Sequence, residues 1–258
     1  MDGTSGGTLS INDNVTIIGV LLFSAPDYSF QNGTLVLNEN GLLDVDYNAS
    51  IASNILISGN SSIDIALGMT LTYSGASIDI SNYQLTLLGS GTLSNTYSVL
   101  LSNTDSLLVL ADDITIALIE VTGNSASGKG IRVESEDVEV TTLKLAAELK
   151  LIFTDDSYEL DVGVLNITSA AQLTVDGGGG LLVVTDLLQE DESYVLTLHD
   201  IDVKVVNRIE LTFENQIVMT GNTTFEATGG LRFNISGAMI FNGDVTADIN
   251  LNGGAMCV

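Results

Sequence analysis

The sequence predicts an all-β chain wound as a single-stranded parallel β-helix, or β-solenoid, of about 22 residues per coil. Three observations predict it. Apolar alternation restarts at Ile55, Ile63, Leu71, Ile78, Leu85 and Leu93, at intervals of 8, 8, 7, 7 and 8. Three such intervals sum to a near-constant 22 or 23, as from Ile55 to Ile78 or from Leu71 to Leu93. Small turn-formers fill the gaps: Gly59-Asn60, Gly68, Gly75, Asn82 and Gly89 to Gly91.

The individual segments follow from side-chain alternation. In "ILIS", "IDIA", "LTYS", "IDIS" and "LTLL", two inward residues flank one outward residue, which is the period of a strand. Ile63, Ile78, Leu85 and Leu93 are expected inward, and Asp64 and Asp79 outward. The rhythm continues through Leu107, Ile114, Val121, Ile131, Val138, Leu145, Ile152, Leu160 and Ile167. It returns at Ile201, Ile209, Ile217 and Phe225, each 8 apart, and then at Leu231, Met239 and Val245. One slack interval, "TGNSASGKG" at 122–130, is expected to be a loop. Strands this short and close suit three-strand coils that stack and bury a continuous ladder, with a rise of about 4.8 Å per coil. Residues 1–258 are therefore expected to form one continuous domain.

Composition narrows the function classes. There are 33 acidic and 7 basic residues, a net charge of −26, and no Lys or Arg before Lys129. Such a surface repels phosphate backbones and anionic lipid, so no nucleic-acid partner is expected. It can collect cations, and calcium is the one ion left open; no cofactor is expected. The single cysteine, Cys257, excludes an intrachain disulfide. "VTIIGVLLFSA" at 15–25 has the apolar core of a signal peptide, but Asp2 and Asp13 stand where a basic leader belongs. It is expected to be a buried strand pair. No apolar run reaches the length of a membrane span.

The phrase G-x-L-x-[LIV], seen in "GTLSI" (7–11) and "GTLVL" (33–37), resembles right-handed parallel β-helix surface proteins, adhesins and autotransporter passengers among them. The closing "GGAMCV" is similar to a Gly-Gly-Ala repeat of polymorphic outer-membrane adhesins, without their Phe-x-x-N companion. The resemblance implies a right-handed coil, which is also the default for parallel crossovers. It further implies a non-enzymatic structural or adhesive rod, extracellular or at the cell surface. Partners would be other copies joined head to tail, further coils of a longer chain, or surface glycans. "MDGTSGG" is too short to cap the first coil, and the last coil keeps the rhythm through Val245, Ile249 and Leu251.

A catalytic alternative is carried by "SNTDSLLVLADD" at 102–113, whose Asn103-Thr104-Asp105 and Asp112-Asp113 resemble elements of polygalacturonases. There the two elements lie about one coil apart and stack their carboxylates. Here Asp105 and Asp112 are 7 apart, one strand of a coil, and the family's Gly-His-Gly and Arg-Ile-Lys elements are missing. The reading as turn chemistry is preferred, and no catalytic, cofactor or metal residue is assigned. A carbohydrate-binding or polysaccharide-degrading β-helix remains the alternative. "VDGGGG" (175–180) lacks the repeated calcium motif of other solenoids, and one Cys with one His does not make a zinc site. Stacked Thr-x-Thr rows, as ice binding would need, are legible only at Thr70-Leu71-Thr72. Asn-x-Ser/Thr occurs at Asn14, Asn32, Asn48, Asn60, Asn166, Asn222 and Asn234, seven candidates for N-glycosylation.

Overall fold

The computed structural model describes residues 7–10, 13–168, 172–190, 195–207, 209–213, 216–227, 231–235, 238–250 and 255–257. Side chains are described through most of this span up to Ile240. Every described residue pairing between strands is parallel, and the described residues contain no helix. The chain is a β-solenoid with about 22 residues per turn.

Three faces make up the coil. On the first, Thr8–Ser10, Tyr28–Gln31, Ala49–Ile51, Thr70–Tyr73 and Thr92–Asn95 stack in order. The second begins with Asn14–Ile17, Thr34–Leu37 and Asn54–Ile57. The third begins with Val20–Phe23, Leu42–Val45, Ser61–Ile65, Gln84–Leu88 and Leu107–Leu110. From Thr115–Val121 onward the corner between first and second faces is absorbed into one bent strand, as in Val138–Leu145, Glu159–Ile167 and Leu181–Gln189. Each of those corners is a single unpaired residue, such as Ala117, Thr141, Gly163 or Thr185, so the ladder runs on through it.

The inward positions form one core. Ile63, Ile78, Leu85 and Leu93 are fully buried, as their spacing predicts, and Asp64 and Asp79 face outward at half-buried positions. Leu71 lies opposite Ala49 and Leu93, so each coil covers the one before it. Ile114, Val121, Ile131, Val138, Leu145, Leu160, Ile167, Ile201 and Ile217 are core residues too. The side chains of Ile209, Phe225, Leu231 and Val245 lie outside the described residues.

Three local readings are corrected. Leu107 is buried, but the inward residue at that point of the rhythm is Leu108, which stands opposite Leu85. In Leu149–Phe153 the inward residues are Leu149, Leu151 and Phe153, so Ile152 points outward beside Arg132 and Asp176. The run "LKLIF" offers apolar residues on both faces, and pairing with Ile131 and Val133 selects the register. Residues 15–25 do form a strand pair, yet only Ile17 and Phe23 of those strands are buried. Ile18 is 74% exposed, Val20 62% and Leu22 47%. The stretch at 122–129 lies between strands, and its backbone bonds to both neighbouring coils: Ala126 N–H donates to Thr104 O at 2.8 Å and Ser125 N–H to Glu148 O at 3.0 Å.

Candidate functional site

Outward side chains repeat at the register of the coils, so residues about 22 apart in sequence become neighbours on the surface. On the first face, Thr70 stacks on Thr92 and Thr92 on Thr115, while Thr72 stacks between Ser50 and Ser94. The Thr-x-Thr row is therefore not alone: Thr92-Leu93-Ser94 lies directly over it. The ladder then turns acidic, with Glu139 over Thr115 and Asp161 over Glu139.

Two acidic clusters follow from this stacking. One lies at the corner between third and first faces. Asp44 stacks on Asp64, and Asp112 reaches the same corner from a later coil by accepting the Gly89 N–H at 2.9 Å. Burial, then Asp46 and Asp64, hold the Asp44 carboxyl above its ordinary range. Burial, then Asp112 and Asp46, do the same to Asp64. The other cluster lies farther along the first face. Burial, Asp161 and Asp137 raise Glu159, and burial, Asp137 and Glu139 raise Asp161, with Lys204 opposing both. Among the described residues, no three His, Cys, Asp or Glu side chains converge as ligands for a metal ion.

Asp105 and Asp112 lie in different corners, one on each side of the Leu107–Leu110 strand, as their spacing predicts. Asn103 and Asp113 serve local structure: Asn103 N–H donates to Ser106 Oγ at 3.1 Å, and Asp113 accepts the Ser135 hydroxyl. The approach of Asp112 to Asp64 was not legible, because it is set by the corner glycine between them. The lone histidine, His199, stacks between Asp176 and Thr220. Its Nδ1 is 2.7 Å from Thr220 Oγ1 and its Nε2 is 3.3 Å from Asp200 Oδ2, all at the open surface.

The candidate glycosylation residues divide by their hydrogen bonds. Asn48 and Asn60 are exposed at corners and accept backbone N–H groups of the next coil, from Thr70 at 2.8 Å and Gln84 at 2.9 Å. Asn14 and Asn222 are exposed. Asn32 Nδ2 donates to Ser10 Oγ at 2.8 Å, and Asn166 Nδ2 to Glu190 Oε1 at 3.3 Å. The side chain of Asn234 lies outside the described residues. Among the described residues no helix is long and apolar enough to cross a membrane.

No protein-family model matches the chain, and neither a curated protein nor a solved structure matches it.

Proposed function

We propose that the chain is a non-enzymatic structural or adhesive β-solenoid of the adhesin or autotransporter-passenger type. It belongs to a cell surface or an extracellular filament. The observation that carries this reading is the parallel pairing that runs from Thr8–Ser10 to Ala255–Cys257. Coil after coil is spent on building a rod, whose outward positions are mainly hydroxyls, amides and carboxylates. A repeat of this kind presents an extended surface instead of a single cleft. Thr8–Ser10 pairs with Tyr28–Gln31 and Ala255–Cys257 pairs with Leu231–Ile235; among the described residues neither has a second partner. Such edges take up further strands, from another copy or from further coils. Antibody labelling of intact source cells tests the location. Surface labelling without permeabilisation is expected, and labelling only after permeabilisation would refute it.

A second reading, a carbohydrate-binding or polysaccharide-degrading β-helix, draws on the corner of Asp44, Asp64 and Asp112. Carboxyls held above their ordinary range beside a further carboxyl are the ingredients of acid–base chemistry on sugars. The first reading expects no turnover of polygalacturonate. Reproducible turnover, abolished by Asp64→Asn or Asp112→Asn, would favour the second.

A further inference from the structure

Two shallow grooves open beside candidate glycosylation residues. Asp27, Tyr28, Asn48, Ser50, Thr70 and Thr72 line the first. Leu42, Asn60, Ser62, Gln84, Thr86 and Leu88 line most of the second. In each, the coil above orients the asparagine: the Thr70 and Gln84 N–H groups occupy Oδ1 of Asn48 and Asn60. Nδ2, the atom that forms an N-glycosidic bond, has no partner among the described residues at either site. The hydroxyl residues of the two acceptor motifs, Ser50 and Ser62, line the same grooves. Asn32 and Asn166 lack this freedom, since their Nδ2 groups are engaged. The linings suit a sugar. Hydroxyls and amides both donate and accept, and in the second groove the half-buried Leu42 and Leu88 offer apolar surface to a pyranose face.

We propose that Asn48 and Asn60 carry N-linked glycans whose first sugar residues lie in these two grooves. The inference rests on the extracellular reading above. The donor class is a lipid-diphosphate-linked oligosaccharide. The Nδ2–C1 bond forms as the C1–O bond to the diphosphate breaks; the amide loses one proton and the lipid diphosphate leaves. Oδ1 keeps its bond to the next coil, so modification leaves each corner intact.

The test is secretion of the full chain behind a leader peptide from insect cells, which supply the transferase whatever the native compartment. Glycopeptide mass spectrometry is expected to find glycan at Asn48 and Asn60. A glycan amidase is expected to release both from the folded chain slower than from the denatured chain by about tenfold or more, because the linkage is shielded. Ser50→Ala and Ser62→Ala remove each acceptor motif while keeping the asparagine, and each is expected to abolish glycan at its own site only. Bare Asn48 and Asn60 in the folded, secreted chain would overturn the proposal, as would equal release from folded and denatured chains. Failure of the extracellular reading shows separately, in the labelling of source cells.

Discussion

Gly89 occupies a corner with no room for a side chain. Its φ is +78°, and a Cβ there would collide with the Ile65 carbonyl oxygen and the Asp64 carboxylate. Gly89→Ala combines left-handed strain with that collision, so a loss of about 1–3 kcal/mol or more is expected, read as a lower denaturant midpoint. The same corner makes stability depend on pH. Asp44 and Asp64 are raised above the ordinary 3.8, so between that value and their folded values the native chain holds more protons than the unfolded one. Stability from this source is full below 3.8 and is lost as pH rises through the folded values. Glu159 and Asp161 act with the same sign, while Asp155, lowered chiefly by the Ser157 N–H, acts with the opposite one. Asp64→Asn is therefore expected to raise the melting temperature at neutral pH. That gain should shrink as the pH falls through the folded value and vanish only below 3.8. A gain that persists unchanged in acid would show that charge is not its cause.

Between coils, the ladder is completed by side chains wherever strands stop. Asn48, Asn54, Asn60 and Asn124 each accept a backbone N–H from the coil above. Asn95 does more, accepting from Leu118 N–H and donating to Leu118 O and Tyr97 O. Tyr73 plays this part inside the core. It is fully buried, and its phenol oxygen accepts the Ile55 N–H at 3.1 Å. Tyr73→Phe keeps the packing but strands that donor, so a loss of about 1–3 kcal/mol is expected in urea unfolding. An unchanged midpoint would mean that water reaches the Ile55 amide. This level was half legible in the sequence. Alternation marks Ile63, Leu85 and Leu93 as inward because the residues on either side of each are polar. It misplaced Ile152, where both faces are apolar and only the neighbouring coil decides. It set the inward position one residue early at Leu107, because Leu107 and Val109 flank the inward Leu108 and are apolar and buried too. Val109 stacks between Thr86 and Arg132, so the arginine stem is placed to cover it. The Ser/Thr rows and the Asp64–Asp112 approach join residues one or two coils apart, and no local pattern announces such neighbours.

At the scale of the whole molecule, two opposed forces govern association. The described core is one cluster that runs from Ile17 to Met219, and among the described residues Thr8–Ser10 and Ala255–Cys257 each pair on one side only. In the first coil Leu9 and Val15 occupy core positions, opposite Phe30 and Leu35, and each is 39% exposed. A contact from the end of one rod to the opposite end of the next is heterologous, and it propagates as an open filament instead of closing as a dimer. Against it stands a charge of −26, with its longest uninterrupted acidic stretch before Lys129. Charges on neighbouring rods repel over about 30 Å at 0.01 M salt but only about 8 Å at 0.15 M. End-to-end contact brings fewer of these charges together than side-by-side packing does, so single filaments are expected before bundles. Their association should strengthen with salt, and more steeply with calcium, which screens at lower concentration and bridges carboxylates without a dedicated site. Light scattering across protein and calcium concentration, with electron microscopy of the same samples, measures this. Growth in length at constant width is the expected result. A rod that stays monomeric across both series would rule out self-association, and sheets or bundles appearing first would place the contact on the faces instead of the ends.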